Sequence, residues 1–292
     1  MNFEKDGPLV SVLMTAYNRG KFITEAIESV LASSYQNFEL IIVDDCSTDN
    51  TVAVARSFLR DERVRIYINE FNLQQFPNRN KAAGYANGKY IKYVDSDDTI
   101  YPHSLALMVQ VMESNPGCGL AFSHYSGNSK YPLPHCYSSK EIVSEHFFGG
   151  GILFSGPIGT IIRKDVFDLV GGFELFGMPS DNHFTLKVAS RFPVVSMYRD
   201  LIWWRTHDDQ AFSAVNDDVN IFNNLKWNLD ILTNDHCPLD EENRLKAIKN
   251  FKKIFLLNYI SRVVKSPGKI VAFRKMLKEN HINLMSMMKD IL

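Results

Sequence analysis

Features that would assign a function at once are scarce in this sequence of 292 residues. Its four cysteines, Cys46, Cys118, Cys136 and Cys237, are scattered and form no C-x-x-C pair. Their spacing argues against a zinc site or a disulfide framework and fits a reducing compartment. No apolar run approaches the roughly 20 residues needed to cross a bilayer, and the first residues, MNFEKDGPLV, are charged rather than signal-like. We therefore expect a cytoplasmic protein, which can still touch the inner face of a membrane.

An excess of charge and the glycine-rich phosphate loops are missing too. The formal net charge is −1, so no global field would attract nucleic acid, and we expect no nucleic-acid partner. No G-x-x-x-x-G-K-[ST] occurs, and no G-x-G-x-x-G follows the first predicted strand. A P-loop and a dinucleotide-binding Rossmann site are thereby disfavoured. Bound phosphates would have to be held by a metal and by side chains.

What the first half of the chain does contain is an alternation of strands and helices. Apolar, β-rich runs predict strands at residues 9–15, 38–43, 64–68, 90–94 and 120–123. Helices are predicted at 21–32, from the capping residues 47–49 to residue 60, at 76–86 and from 102 to about 113. This alternation predicts a mostly parallel sheet wrapped by helices, in which ligands bind at the carboxyl ends of the strands.

Polar side chains cluster at those predicted strand ends. They are Thr15, Tyr17 and Asn18 after the first strand, Asp44 and Asp45 after the second, and Asp95, Asp97 and Asp98 after the fourth. In an extended chain Asp95 and Asp97 would point the same way. A divalent metal needs several hard oxygen ligands and leaves room for phosphate oxygens, whereas the alternative is a solvated acidic turn. Three groups at one edge, without a phosphate-binding glycine loop, point towards a nucleotide-sugar enzyme.

Several longer motifs follow one another along the chain. They are VSVLMTAYNR at 10–19, VDDCSTDNT at 43–51, the run from Asn72 through Arg79-Asn80-Lys81 to Gly88, VDSDD at 94–98, Gly171-Gly172-Phe173 followed by Asp181, and WRTH at 204–207. With them, residues 10 to about 213 resemble an inverting family 2 glycosyltransferase with a GT-A fold. Three places depart from the family pattern: Cys46 replaces a commoner glycine, Ser180 replaces a common glutamate, and residues 74–77 are bulkier than usual.

The resemblance implies a Rossmann-like α/β fold and a role for each matching residue. Thr15, Tyr17 and either Asp44 or Asp45 would hold the base and ribose, and Arg79 the nucleotide or its phosphates. Asp95 would bind the ribose or sugar, or shape the turn. Asp97 and Asp98 would bind Mn²⁺ or Mg²⁺, and His207 the metal or a phosphate. Asp181 would be the catalytic base. Structural alternatives are a surface ion pair for Arg79, a helix cap for Asp181 and a packing role for His207.

The function implied is metal-dependent, inverting transfer of a sugar from a nucleoside diphosphate donor. UDP is favoured, with GDP and dTDP open, and the acceptor would be a hydroxyl of a glycan or lipid-linked saccharide in cell-envelope polysaccharide synthesis. One alternative is a nucleotidyltransferase. That class normally has a glycine-rich basic loop after the first strand, and TAYNRGKF, with one glycine, does not fit well. Another is a non-catalytic nucleotide-sugar binding module. The complete set of Asp45, Asp97, Asp98, Asp181 and His207 argues against it.

The second half of the chain predicts a change of architecture. Residues 1–213 form the predicted GT-A domain, with a surface loop at 124–139, a mobile glycine run at 149–151, a strand at 158–163 and a helix at 164–170. Residues 214–292 form a predicted helical region that could be an acceptor lid, a dimer element or a membrane-surface element. Its basic residues are Arg244, Lys246, Lys249, Lys252, Lys253, Arg262, Lys265, Lys269, Arg274, Lys275 and Lys278. Such a basic amphipathic segment can lie on an anionic membrane.

Overall fold

A computed structural model describes residues 7–123, 130–149, 153, 156–174, 180–207, 217–266, 268, 270–279 and 281–291. Within this part of the chain, one sheet contains β1 (Val10–Ala16), β2 (Phe38–Asp44), β3 (Val64–Ile68), β4 (Tyr90–Tyr93), β6 (Leu120–Ser123), β7 (His135–Tyr137), β8 (Thr160–Arg163) and β9 (Val194–Met197). The order across the sheet is β3-β2-β1-β4-β8-β6-β9-β7. Two short strands, β5 (Thr99–Ile100) and β10 (Ile202–Trp203), pair separately in antiparallel fashion.

The sheet has a parallel half and a mixed half. Strands β3, β2, β1 and β4 are all parallel to their neighbours. Strand β8 runs antiparallel to both β4 and β6, and β7 runs antiparallel to β9. The predicted α/β architecture is therefore confirmed, and its parallel character belongs to the half that carries the predicted site.

Burial on both faces explains why β1 and β2 read as largely apolar runs. All seven residues of β2 are buried, as expected for a sheet covered by helices on both sides. Leu40 and Ile42 join one hydrophobic cluster, whereas Ile41 and Val43 join the cluster on the opposite face. Successive side chains of a strand point to opposite faces, so β2 supplies the core of both layers.

Seven helices of the described chain cover the two faces of the sheet. They are α1 (Ile23–Leu31), α2 (Thr51–Arg56), α3 (Gln75–Gly84), α4 (Ser104–Ser114), α5 (Ser139–Phe148), α6 (Lys164–Leu169) and α7 (Ser180–Arg191). Helices α1, α2 and α4 contribute to the first cluster, and α3, α5, α6 and α7 contribute to the second. The helix predicted to reach residue 60 ends at Arg56.

The prediction of a loop at 124–139 is wrong from His135 onwards. Residues 124–129 lie outside the described residues, but His135–Tyr137 is strand β7. Ser138 then caps α5: its hydroxyl accepts from the Glu141 N–H, and the Glu141 carboxylate accepts from the Ser138 N–H. This S-x-x-E capping box was a readable signal. Of the glycine run at 149–151, only Gly149 is described.

Two of the cysteines are not scattered in space. The Sγ atoms of Cys118 and Cys136 lie 3.3 Å apart, although 18 positions separate these residues in sequence. Both thiols are free. Sequence spacing alone hid this pair because the two residues approach each other only through the tertiary fold.

Within the described part of the chain, four helices follow the sheet region. They are α8 (Asp217–Thr233), α9 (Glu241–Lys265), α10 (Ile270–Glu279) and α11 (Leu284–Ile291). Ile231, Leu232 and Ala247 join the cluster on one face of the sheet, while a third cluster fills the space between these helices. Residues 208–216 lie outside the described residues, so the division into 1–213 and 214–292 stays a prediction. No helix in the described ranges is long and apolar enough to span a bilayer.

Candidate functional site

The predicted site residues meet at one edge of the sheet because β2, β1 and β4 are neighbours. Several hydrogen bonds connect the loop after β1 to the loop after β2. The Asn18 N–H donates to Ser47 Oγ (2.8 Å), and the Thr48 N–H donates to Asn18 Oδ1 (2.8 Å). The Arg19 N–H donates to Thr51 Oγ1 (2.7 Å). Asn18 holds a φ of 53°, a left-handed conformation that asparagine tolerates better than most residues.

Residues 95–98, named here the acidic turn, reverse the chain at the end of β4. The Asp98 N–H donates to the Asp95 carbonyl at 3.0 Å, which closes a four-residue turn. Ser96 Oγ donates to the Thr15 carbonyl at 2.9 Å and ties the turn to the end of β1. Because the chain is not extended here, the expectation that Asp95 and Asp97 point the same way does not hold. The turn sends them to different partners.

Asp97 lies between a cation and a histidine. Arg19 Nε is 2.9 Å from Asp97 Oδ2, and His207 Nε2 is 3.2 Å from the same oxygen. The His207 ring packs against Phe22, with ring centroids 4.5 Å apart. Among the described atoms, His207 Nδ1 is buried and has no hydrogen-bond partner. Two of the three predicted metal ligands are therefore adjacent.

Asp98, the third predicted metal ligand, is bound to backbone. Its Oδ1 accepts from the Arg205 N–H at 2.9 Å, and Arg205 Nε donates to the Asp97 carbonyl at 2.9 Å. Asp98 is only 2% exposed. Burial raises its pKa to about 8, and the nearby charges of Asp95 and Asp97 add to this shift, whereas Arg205 opposes it. The crowded carboxylates thus favour a cation in or beside the turn.

The described side chains fit an open metal site with few protein ligands, and they do not form a preformed cluster of three or more ligands. Within the described ranges, no three His, Cys, Asp or Glu side chains converge as a preformed cluster. Asp97 and His207 form an open pair instead. Mg²⁺ in nucleotide enzymes uses one or two carboxylates and takes its other ligands from phosphates and water. The donor set fits such an open site.

Arg79 is not the surface ion pair that was one alternative for it. Its side chain is 3% exposed, and Nη2 lies 2.6 Å from Asp95 Oδ1. Tyr93 Oη donates to the Arg79 carbonyl at 2.9 Å and holds α3 against β4. Arg79 Nε is buried and, among the described atoms, has no hydrogen-bond partner. Asp95 therefore has a buried cation, and one guanidinium N–H remains to be satisfied.

Asp181 lies close enough to Arg79 and Asp95 for their charges to act on its carboxylate. Burial raises its pKa, the charge of Asp95 adds to this shift, and Arg79 opposes it. Asp181 lies in the first turn of α7, and its Oδ1 accepts from the Asn182 N–H at 2.9 Å. This bond is consistent with the helix-cap alternative, but it occupies only one of the carboxylate oxygens.

A glycine turn positions the segment that leads to Asp181. Gly171 and Gly172 have φ values of 82° and 67°. A Cβ atom on Gly172 would lie 2.7 Å from Asn80 Oδ1 and 3.1 Å from the Phe167 ring. Asn80 also bonds both the N–H and the carbonyl of Phe173, at 2.9 and 2.8 Å. Helix α3 thereby fixes the turn before α7.

The two aspartates after β2 both have structural partners. Asp44 accepts from the N–H and the hydroxyl of Ser47. Asp45 accepts from the backbone N–H groups of Leu73 and Gln74 at 2.8 and 2.9 Å, and so orders the segment before α3. Both aspartates are buried. Their geometry does not single out one of them as the ligand of a base.

Thr15 and Tyr17 lie at the rim of the same edge. Thr15 is the half-buried next-to-last residue of β1, and Tyr17 is 46% exposed. An exposed aromatic ring beside a polar edge can stack on a planar ligand. The structure therefore brings all the predicted donor residues to the carboxyl ends of β1, β2 and β4.

Three basic residues at the site were not predicted. Arg19 and Arg205 lie within the motifs VSVLMTAYNR and WRTH, and both contact the acidic turn. Lys92 is fully buried in β4 and donates to the Ile158 carbonyl. Burial lowers the pKa of Lys92 to about 7, while Asp95 and Asp98 oppose this shift. The sequence signal for this residue was a lysine in the middle of the predicted strand YIKY, which indicates a buried charge.

The fold and this polar sheet edge fit an α/β enzyme, and comparison with known proteins identifies the family. A model described as "Glycosyl transferase family 2" matches residues 11–171, which is more than half of the chain. The chain therefore belongs to glycosyl transferase family 2. It is an enzyme, a glycosyltransferase with a GT-A fold.

Sequence relatives agree with this assignment. An uncharacterized glycosyltransferase of Haemophilus influenzae is 29% identical over 238 residues, covering 73% of this chain and 70% of that protein. The Escherichia coli protein WfgD, named UDP-Glc:alpha-D-GlcNAc-diphosphoundecaprenol beta-1,3-glucosyltransferase, is 37% identical over 110 residues, covering 38% of this chain and 43% of WfgD. The chain spans less than half the length of several curated relatives that it matches.

Solved structures share the fold at low sequence identity. TarS 1–349 of Staphylococcus aureus, in complex with UDP-GlcNAc, has a TM-score of 0.67 and 20% identity, covering 83% of this chain and 71% of that one. The mannosyltransferase PcManGT of Pyrobaculum calidifontis, in complex with GDP-Man and Mn²⁺, has a TM-score of 0.63 and 13% identity, covering 97% and 86%. Both likenesses concern the fold.

Proposed function

We propose that this glycosyltransferase transfers a sugar, with inversion, from a nucleoside diphosphate donor to a hydroxyl group of a glycan or lipid-linked acceptor. The observation that carries the proposal is the grouping around the acidic turn. Asp181 lies within electrostatic reach of the buried Arg79–Asp95 ion pair, and His207 contacts Asp97 in the same turn. The residues proposed as the base and the metal ligands thus lie close to one buried cation at the same sheet edge.

The metal in this proposal is Mn²⁺ or Mg²⁺. Asp97 and His207 would hold it, with Asp98 buried directly beside them. When bound, the cation offsets the negative charge that develops on the departing diphosphate. Arg19 adds a positive charge at the same point, since its Nε lies 2.9 Å from Asp97 Oδ2.

Asp181 would accept the proton of the acceptor hydroxyl as that oxygen attacks the anomeric carbon. Such a base works best when its pKa approaches the working pH, and burial of Asp181 raises its pKa in that direction. The charge of Arg79 opposes this shift and favours the ionised carboxylate, which is the form that can accept a proton. Arg79 and Asp95 therefore act in this scheme as positioning residues for the base.

UDP is the favoured nucleotide of the donor. WfgD carries UDP-Glc in its name, and TarS has been solved with UDP and with UDP-GlcNAc. The GDP-Man complex of PcManGT keeps GDP open. The diphosphoundecaprenol acceptor named for WfgD supports a lipid-linked acceptor and a role in cell-surface polysaccharide synthesis. Membership of the family disfavours the nucleotidyltransferase and the non-catalytic module.

The test of this function is an assay of nucleotide release and product stereochemistry. UDP-, GDP- and dTDP-sugars would be incubated with Mn²⁺ and with GlcNAc linked to diphosphoundecaprenol, and nucleoside diphosphate release would be followed with and without a chelator. NMR of the product should show the anomeric configuration opposite to that of the donor. Retention of configuration, or full activity in chelator, would overturn the mechanism.

A further inference from the structure

Helix α9 has an exposed apolar stripe along its C-terminal half. Its inward side is buried in the third cluster through Phe255, Leu256 and Tyr259. Four aliphatic side chains on the other side stay in water: Ile254, Leu257, Ile260 and Val264 are 52, 58, 52 and 70% exposed. They recur every three or four residues, so they lie along one side of the helix.

Lysines continue this stripe towards the N-terminal half of α9. Lys246, Lys249 and Lys253 precede Leu257 at helical spacing on the same side, and all three are exposed. Lys246 Nζ also lies 5.7 Å from the centroid of the Phe148 ring in α5. The outward face of α9, formed by Lys246, Lys249, Lys253, Ile254, Leu257, Ile260 and Val264, is thus basic from Lys246 to Lys253 and aliphatic from Ile254 to Val264.

The charge around this outward face determines what can cover it. Between Arg244 and Asn280 the only acidic residue is Glu279, and Lys275 lies 3.7 Å from its carboxylate. A second copy of the chain would place the same lysines against one another, where their charges repel. An anionic partner with an apolar interior matches both halves of the face. Val271, Met285 and Met288 on the neighbouring helices are also 73, 70 and 54% exposed.

We propose that the outward face of α9 docks on an anionic lipid bilayer, with its aliphatic half in the headgroup and acyl boundary and its lysines over the lipid headgroups. A basic amphipathic helix binds an interface in this orientation. The N-terminal half of α9 is held to the sheet region through Ala247 and through contact of Phe251 with Phe147. Docking would therefore bring the transferase itself to the membrane surface.

Vesicle co-sedimentation of the full chain tests this inference. We expect binding to phosphatidylcholine vesicles that contain phosphatidylglycerol, weak binding to phosphatidylcholine alone, and loss of binding at high salt. Leu257→Glu/Ile260→Glu should abolish binding. The matched control Leu59→Glu/Leu169→Glu alters residues that are 51 and 66% exposed elsewhere, and it should bind like the wild type.

A second pair of variants tests the electrostatic part. Lys249→Gln/Lys253→Gln should weaken binding roughly five-fold per lysine, whereas Arg56→Gln/Arg60→Gln, at exposed positions outside the face, should not. Equal binding to neutral and anionic vesicles, or no difference between test and control variants, would overturn the proposal. So would a loss of dimer in Leu257→Glu/Ile260→Glu by sedimentation velocity. No donor or metal is present, so failure here leaves the proposed transfer reaction untouched.

Discussion

At the scale of single residues, the site is a set of carboxylates whose neighbours assign them different tasks. Asp95 is neutralised by buried Arg79, Asp97 contacts Arg19 and His207, and Asp98 is buried against backbone. Asp181 lies beside this group with a raised pKa. Carboxylates of the same chemical type thus differ in charge and access because of their surroundings.

Replacing Asp181 separates catalysis from stability. Asp181→Asn should lower the transfer rate by about 10²- to 10⁴-fold, because the hydroxyl loses its base. Stability should not fall. The raised pKa means that the ionised carboxylate destabilises the folded state above that pKa, and the amide removes this penalty. Thermal unfolding at pH 7 should give a melting temperature equal to or above that of the wild type, and the gain should shrink towards low pH. A lower melting temperature would assign Asp181 to the helix cap instead.

The charge of Arg79 should be visible in the pH profile. Activity needs ionised Asp181, so it falls as the pH drops through the pKa of that residue. Arg79 lowers this pKa. Arg79→Met should therefore move the acid limb of kcat/KM to higher pH, and Arg79→Lys, which keeps the charge, should leave it near the wild-type position. An acid limb that is the same in all three proteins would remove Asp181 from the role of base.

At the scale of elements, the glycine turn before α7 carries a constraint that one methyl group would break. Gly172→Ala places a Cβ 2.7 Å from Asn80 Oδ1 at a φ of 67°. We expect a loss of about 1–2 kcal/mol in the free energy of unfolding and a reduced rate, because the segment before Asp181 shifts. The control Gly84→Ala, in α3 with no atom within 4 Å of the added Cβ, should be neutral or stabilising in denaturant titrations. Equal effects of the two variants would refute this account.

Elements with a strong periodic pattern were predictable from sequence, and short ones were not. Strands β1, β2 and β3 differ from their predicted bounds by at most one residue. For β1 and β2 the reason is burial on two faces, which makes them largely apolar runs. Strand β7 has only three residues at the sheet edge, and its partner β9 lies more than 50 positions further along the chain. No local pattern encodes such a pairing.

At the scale of the whole molecule, the contacts of the site also depend on residues that are far apart in the sequence. The chain folds the predicted acidic residues to one edge because neighbouring parallel strands end there. The cations that neutralise them come from distant segments: Arg205 lies 107 positions beyond Asp98, and Arg19 lies 78 positions before Asp97. Sequence motifs located the carboxylates, whereas the arginine partners required the tertiary structure.

The central claim is that Asp97 and His207 hold a divalent metal for the diphosphate of the donor. Calorimetric titration of the purified protein with UDP, GDP and dTDP, each with and without Mn²⁺, tests it most directly. We predict tight binding of one nucleotide, UDP by preference, that requires Mn²⁺ and is lost in Asp97→Asn but retained in Asp235→Asn, which changes an exposed aspartate in the C-terminal region. Binding that ignores Mn²⁺, or that survives in Asp97→Asn, would contradict the claim.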